Sequence, residues 1–316
     1  MTDPESYVAA PPADFVLPFD LPRAGLRGRL VRLDATAARA LEAHALPEEA
    51  ARVAAETCVL AALLGSTLKL DGRLTVQTKS DGPLDLVVAD YYGAQADRPA
   101  GVRAYARLDA PRFAALGAQP SFAAMTGGGV VAITIEPREA AQRYQGIVSL
   151  AQDSISASAE AYFAQSEQLP TAIRLAAAPV YRPSHPVAHW LAGGLMIQAT
   201  PEGRVDADDW ERLAAFLATV EAMELVDVSL PAETLLWRLF HEDEVRVHPA
   251  EAIVFRCDCM SDRVISVLRS YPANERHDLA DEGGIIRARC EFCGRSHDIA
   301  PEDLEPELAA ESRVPS

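Results

Sequence analysis

Apolar and polar residues alternate over much of the first half of the chain, and this pattern predicts a β-sheet. In "GRLTVQTKS" (72–80), apolar Leu74 and Val76 alternate with polar neighbours, which is the period-2 pattern of a half-buried strand. An earlier strand is predicted in "GRLVRLD" (28–34). Further strands, separated by Gly, Pro and Asp, are predicted in "LDLVVADYYG", "GVRAYARLD", "GVVAITIEP" and "RYQGIVSL".

Helical patterns interrupt these strands. Residues 35–69 are rich in Ala, Leu and Glu and predict two helices separated at Pro47. Residues 156–170, "SASAEAYFAQSEQLP", predict an amphipathic helix that ends at Pro170. Two more strands are predicted in "TAIRLAAAP" and "GGLMIQAT", with a Pro- and His-bearing insert, residues 179–190, between them.

After Gly203 the apolar residues follow a helical period. Asp206 is a suitable N-cap for one helix, and Pro231 suits the first helical position of another. The apolar faces of these helices need cover in the folded protein, because an amphipathic helix is stabilised mainly by packing. They include Trp210, Leu213, Leu217, Leu235, Trp237 and Phe240.

These patterns predict an α+β protein with several parts. Residues 1–202 are expected to form an N-terminal mixed α/β sheet domain, of which residues 1–25 are a loose, proline-rich arm. Residues 203–252 are expected to form a helical segment, which we call the linker. Residues 253–300 are expected to form a small C-terminal domain, followed by an acidic tail over 301–316.

Four of the five cysteines lie in this C-terminal domain, in "FRCDCM" and "RCEFCG". Cys257, Cys259, Cys290 and Cys293 form a C-x-C and a C-x-x-C pair, and four thiolates are a common ligand set for structural zinc. The domain holds few large apolar residues, so a metal would supply stability that its core lacks. The sequence therefore predicts one zinc ion per chain.

Two interpretations of this site remain open. It is either a structural zinc ribbon or a site that oxidation switches, since every ligand is an oxidisable sulfur. A Cys257–Cys259 bond and a Cys290–Cys293 bond would each close a short loop, and neither would join the two pairs as zinc does. Oxidation is then expected to release zinc and unfold the domain. His277 and His297 are expected at the surface.

Composition limits the classes of partner. Asp and Glu number 46 against 29 Lys and Arg, a formal net charge of −17, which argues against nucleic acid and anionic membranes. The N-terminus lacks the pattern of a signal peptide, and the longest apolar run, residues 58–65, is short of a membrane span. A cytoplasmic location is expected, where thiols stay reduced. Cys58, in an apolar helix, is expected to be a buried small hydrophobe.

Candidate catalytic residues are weak. "STLK" (Ser66–Lys69) matches an S-x-x-K nucleophile pattern, but it lacks a K-T-G partner, and a helix end is the favoured interpretation. His185 and His189 lie in the 179–190 insert with no carboxylate nearby in sequence. The sequence therefore does not favour an enzyme.

The cysteine pairs, at this separation, resemble those of a known family, the redox-regulated bacterial holdase chaperone of 33 kDa. The resemblance covers about residues 25 to 300, in the family's order of segments. These segments are "TLKLDGRLTVQTKSDGPLDL", "RYQGIVSL", "YFAQSEQLPT", "GGLMIQ" and "LPAETLLWRLFHEDEV".

The resemblance implies an ATP-independent holdase that is inactive while its four cysteines, Cys257, Cys259, Cys290 and Cys293, hold zinc. Oxidation would form the Cys257–Cys259 and Cys290–Cys293 disulfides, release zinc, and unfold the zinc domain and linker. The active form would dimerise and bind unfolding client proteins through a surface that the sequence does not identify. The alternative is a constitutive zinc-ribbon interaction module. The long N-terminal arm and the 179–190 insert depart from the family pattern.

Overall fold

The computed structural model describes residues 13–304, except 140–141, 152, 183–184, 201–204, 260 and 282. The chain divides into two compact units, one ending at Arg256 and one beginning at Cys257.

The first unit is built on one large sheet. Its strands are β1 (Phe15–Leu21), β2 (Leu26–Leu33), β3 (Gly72–Ser80), β4 (Leu86–Tyr92), β5 (Ala100–Arg107), β6 (Gly129–Pro137), β7 (Tyr144–Ser149), β8 (Thr171–Arg182), β9 (His185–Ala199), β10 (Arg246–Val247) and β11 (Glu251–Phe255). They lie in the order β7-β6-β3-β4-β5-β11-β1-β2-β9-β8, and β10 also pairs with β1. The predicted α+β class is confirmed.

The helices of the first unit lie between and after these strands. They are α1 (Ala35–Leu41), α2 (Glu48–Gly65), α3 (Ala110–Ala114), α4 (Phe122–Thr126), α5 (Ile155–Tyr162), α6 (Ala207–Ala218), α7 (Ala222–Val226) and α8 (Ala232–Phe240). The predicted break at Pro47 is confirmed, since Pro47 is the N-cap of α2. Beyond α5 the chain forms a π-helical turn and leaves it at Gln168, which has a φ of 54°, two residues before Pro170.

Apolar residues lie on both faces of the sheet, because the strands send alternate side chains to opposite sides. On β2, Val31 and Leu33 pack into the core around α2, whereas Leu26 and Leu30 pack into the core around α6 and α8. Two neighbouring glycines of "GGLMIQ", on β9, likewise face opposite sides of the sheet. A Cβ at Gly193 would lie 2.3 Å from the Leu225 carbonyl oxygen of α7, and one at Gly194 would lie 2.6 Å from Val59 of α2. The two glycines allow a helix to approach on each side.

The linker helices therefore cover one face of the first unit's own sheet. Leu213, Leu217, Leu235 and Phe240 are buried against this face, as the helical pattern predicted. We call the strand side of this contact the linker-covered face; its buried residues are Phe15, Leu17, Phe19, Leu21, Leu26, Leu30, Ala176, Leu195, Ile197 and Ala199. Trp237 differs from the prediction, because it is 61% exposed.

Residues 15–21 were expected in a loose arm, and this prediction is wrong. They form β1, which lies inside the sheet between β2 and the pair β10 and β11. Pro18 suggested an irregular chain because proline cannot donate to a ladder. It lies where the neighbouring strand changes from β11 to β10, and its carbonyl accepts a hydrogen bond from the His248 N–H. Residues 1–12 lie outside the described residues.

The 179–190 insert is also different from the expectation, because most of it extends the two flanking strands. β8 and β9 pair as far as Arg182 and His185, with an irregularity between Val180 and Arg182. Tyr181, 64% exposed, donates a hydrogen bond to Glu48 at the start of α2.

Strand β11 completes the sheet immediately before the first cysteine pair. It pairs in parallel with β5 and antiparallel with β1. It therefore connects the strands from β7 to β5 with the strands from β1 to β8 in one sheet. The expected boundary at residue 253 lies inside this strand, and the compact units divide three residues later, after Arg256.

Cys58 lies in the middle of α2 and is fully buried. Burial raises the pKa of its thiol to about 12, and the carboxylates of Asp90 and Asp14 act in the same direction. Because the thiolate is the nucleophile, we expect iodoacetamide at pH 8 to leave Cys58 unlabelled in the native chain and to label it after denaturation in urea. Peptide mass spectrometry measures this directly. Equal labelling of native and denatured protein would contradict the buried position.

The second unit, from Cys257, has a small core. It contains α9 (Ser261–Arg269), α10 (Ala273–Asp278), β12 (Ile286–Arg289) and β13 (Ser296–Ile299), and the two strands form an antiparallel hairpin. Among its described residues, the buried apolar ones are Leu268, Ile286, Ile299 and Leu304. The structured chain thus continues past residue 300 through a 3-10 turn, Pro301–Leu304, into the segment expected as a tail. We call residues 257–304 the cysteine unit.

Candidate metal centre

The two cysteine pairs are presented by different kinds of backbone. Cys257 and Cys259 lie in the irregular segment that follows β11. Cys290 and Cys293 lie in the turn of the β12–β13 hairpin, where the Cys290 N–H donates to the Arg295 carbonyl and the Gly294 N–H donates to the Cys290 carbonyl. Gly294 has a φ of 69°, a conformation that glycine adopts without the strain of a Cβ. The sequence "CEFCG" thus forms a tight knuckle.

The tertiary fold brings all four thiols together, and their sulfur atoms lie within 4.8 Å of one another. Sγ of Cys257 lies 3.6 Å from Sγ of Cys290, and Sγ of Cys259 lies 3.3 Å from Sγ of Cys293. In a tetrahedral zinc site with Zn–S bonds of about 2.3 Å, neighbouring sulfur atoms lie about 3.8 Å apart. The arrangement therefore fits a tetrahedral metal ion with four sulfur ligands.

The thiols have unequal surroundings. Burial raises the pKa of Cys259, and hydrogen bonding to the other thiols, Cys293 first, acts in the same direction. Burial would also raise the pKa of Cys293, but this effect is outweighed by a hydrogen bond from the Arg295 N–H and by bonds from the other thiols, so that pKa is lowered. A thiol with a lowered pKa is the more ready to act as a thiolate ligand.

The two histidines of this unit were expected at the surface. For His297 this is wrong, since it is 7% exposed and lies on β13, whose alternate residues face the small core. It does not belong to the group of side chains that fits a metal, which among the described residues consists of the four cysteines. The side chain of His277 lies outside the described residues.

The remaining candidates are the serine and the two histidines that were considered as catalytic residues. Ser66 is the C-cap of α2, and its hydroxyl donates to the Leu63 carbonyl, which agrees with a helix end. His189 has the carboxylate neighbour that the sequence did not reveal, because its Nε2 lies 2.5 Å from Oδ1 of Asp34. The side chain of His185 lies outside the described residues. Within the part of the chain that the structure describes, no helix combines the length and the apolar character that crossing a bilayer requires.

Comparison with known proteins gives a consistent result. A model of the Hsp33 protein family matches residues 14–300. The 33 kDa chaperonin of Caulobacter vibrioides is 38% identical to this chain over 294 residues, which cover 91% of the chain and 95% of the relative. The 33 kDa chaperonin of Shigella flexneri is 36% identical over 275 residues, which cover 86% of the chain and 88% of the relative.

A solved structure supports the fold. The 33 kDa chaperonin, or heat shock protein 33 homologue, of Thermotoga maritima matches with a TM-score of 0.72, covering 92% of this chain and 96% of its own, at 20% identity. The family match extends from the start of the sheet to the end of the hairpin that carries the second cysteine pair. The chain therefore belongs to the Hsp33 family of chaperones.

Proposed function

We propose that this protein is a redox-regulated, ATP-independent holdase, inactive while reduced and zinc-bound, and activated by oxidation of its four cysteines. The observation that carries the proposal is the convergence of four oxidisable thiols in a unit whose described residues include few buried apolar side chains. Such a unit depends on a metal cross-link for its stability. Loss of that cross-link therefore unfolds the unit.

In the reduced state, Cys257, Cys259, Cys290 and Cys293 would hold one zinc ion as thiolates. The ion would supply a single cross-link that joins the hairpin turn to the segment after β11. With hydrogen peroxide as oxidant, the four thiolates lose four electrons, two S–S bonds form, and two peroxide molecules take up four protons and become four water molecules. The oxidised cysteines would no longer hold the ion, because disulfide sulfur is a poor ligand for it.

We propose Cys257–Cys259 and Cys290–Cys293 as the disulfides. All four sulfur atoms lie within 4.8 Å of one another, so the two sulfur atoms of each local pair are already close, and an S–S bond of about 2.05 Å requires them only to approach further. After they form, each disulfide closes only a short loop. No cross-link then joins the two cysteine pairs, which thirty residues of chain separate. The proposed chemistry thus removes the cross-link that the small core needs.

The linker supplies the surface that activation would expose. Helices α6–α8 cover apolar residues of β1, β2, β8 and β9, which together form the linker-covered face. An exposed apolar surface of this kind binds the apolar segments of unfolding proteins. We propose that release of the linker follows unfolding of the cysteine unit and that clients bind the exposed surface. The strongly acidic chain would keep a loaded complex in solution.

The setting of this activity is part of the proposal. We propose that the protein works in the cytoplasm, that the oxidised form is a homodimer, and that its partners are unfolded or oxidatively damaged proteins rather than nucleic acid or membranes. The net charge of −17 supports the last point, because both of those surfaces are anionic.

One oxidation time course tests the proposal. Hydrogen peroxide at mildly elevated temperature is expected to release one zinc ion per chain, and suppression of the aggregation of a denatured client should rise with it. A chromogenic zinc indicator and light scattering measure the two quantities, and peptide mapping identifies the disulfides. Cys58→Ala is the control and should behave like the wild type. Retained zinc, zinc release without client protection, or a partner that binds only the reduced form would contradict the proposal, the last favouring a constitutive interaction module.

A further inference from the structure

The sheet holds the linker by hydrogen bonds as well as by apolar packing. Arg32, on β2, donates from Nη1 to the Leu230 carbonyl and from Nη2 to the Glu224 carbonyl, the second at 3.1 Å. Arg174, on β8, donates from Nη2 to the Ala218 carbonyl at 3.2 Å. Two arginines of the linker-covered side of the sheet thus contact the backbone of the linker.

Two of the accepting carbonyls lie where helices end, and the third lies just before a helix begins. Ala218 is the last residue of α6, Glu224 lies in the last turn of α7, and Leu230 comes just before Pro231, the N-cap of α8. The carbonyls of Ala218 and Glu224 are among the last of their helices, so they have no hydrogen-bond partner within the helix and lie at the negative end of its dipole. Cationic side chains are suitable partners for them. The arginines therefore bind the linker in its folded, helical form.

Arg32 is the more deeply placed of the two. Its residue surface is 5% exposed, and among the described residues its Nε has no hydrogen-bond partner. Burial lowers the pKa of its guanidinium, against the carboxylates of Asp227 and Glu233, which raise it. The charge is thus stabilised by the two backbone carbonyls together with these carboxylates, and a buried charge that loses its partners is costly.

Solvent reaches the same place. A cleft of about 380 Å³, partly open to solvent, lies between the loop from α7 to α8 and the strands, and Arg32 lines it together with Phe15, Asp34, Leu230 and Glu233. The walls of an open cleft make no dispersion contacts with each other across it. The hydrogen bonds from Arg32 therefore attach this loop at a place that apolar packing does not close.

We propose that Arg32 is the latch of the linker: a positioning residue that keeps α7 and α8 on the sheet in the reduced protein, with Arg174 doing the same more weakly for α6. The link between an open linker and client binding rests on the proposed function, whereas the latch itself does not. Release of the linker does not leave the Arg32 charge buried without partners. Once α7 unfolds, the guanidinium and the carbonyls both gain water, so the open state carries no unpaired buried charge.

The test uses the full-length, reduced, zinc-loaded chain with Arg32→Met and Arg32→Lys. Hydrogen exchange of residues 222–240 is expected to speed up about 10-fold or more in Arg32→Met, because two charge-assisted hydrogen bonds are lost. Arg32→Lys, which keeps the charge but reaches one carbonyl, should fall between this variant and the wild type. Exchange in β3–β5 and the zinc content should stay unchanged.

Arg29→Met is the matched control. Arg29 lies on the same strand and points to the opposite face, and its guanidinium donates to the neighbouring Gly28 carbonyl rather than to the linker. Unchanged exchange over 222–240 in Arg32→Met would overturn the latch, and so would equal acceleration in β3–β5, which indicates a general loss of stability. A client aggregation assay on the same samples separates the two proposals. An open linker without client protection supports the latch and contradicts the proposed function.

Discussion

Replacing Cys293 with serine should leave the cysteine unit without zinc and without a stable fold. A structural zinc ion contributes about 10–16 kcal/mol in small sites at neutral pH, and the described core of this unit offers little else to offset chain entropy. Loss of a group that merely orients a ligand already weakens metal binding about 10–100-fold, so loss of a ligand should weaken it by more than 100-fold. The first unit has its own cores and should remain folded.

Metal analysis after gel filtration in zinc-free buffer measures this effect, and hydrogen exchange over residues 257–304 reports the fold. The matched control is Cys58→Ser, which removes a thiol that lies outside the cysteine cluster and should retain one zinc ion per chain. A Cys293→Ser protein that keeps stoichiometric zinc and slow exchange would show that three thiolates suffice and that the unit is stable by other means.

Replacing Phe240 with alanine should detach the linker while zinc stays bound. Phe240 is fully buried, and its ring stacks on that of Phe19, with centroids 6.0 Å apart and planes 23° apart. Truncation of a buried phenylalanine costs about 3–5 kcal/mol, and here the loss falls on the contact between α8 and β1. We expect faster exchange in α6–α8 and, if the proposed function holds, client protection by the reduced protein.

Trp237→Ala is the control for this variant. Trp237 is an aromatic residue of the same helix, but it is 61% exposed and packs beside His241, so its loss should change stability by less than about 0.5 kcal/mol. Urea unfolding followed by circular dichroism compares the two variants. Equal destabilisation by both substitutions would mean that the two faces of α8 do not differ as the structure indicates.

The sequence predicted most elements whose pattern is local. The strand at 72–80, the helix break at Pro47 and the N-cap at Asp206 were all identified, because alternation and capping depend on neighbouring residues. The four cysteines were likewise recognised as one group from their spacing. The sequence does not reveal strand β1, because proline cannot donate a hydrogen bond to a neighbouring strand. Pro18 is tolerated because it lies between the residues of β1 that pair with β11 and those that pair with β10.

The sequence by itself determined the chemistry of this protein: which side chains are oxidisable sulfur, which helices are amphipathic, and which family it belongs to. Only the tertiary structure decided what those parts touch. It placed the apolar side of the linker on the sheet, left Trp237 exposed, and directed Arg32 to carbonyls almost two hundred residues away in sequence. A charged residue in "GRLVRLD" gives no local sign of such a partner. The reason is physical, since burial and hydrogen bonding are properties of the surroundings that long-range packing creates, and periodicity records only which face of an element is apolar.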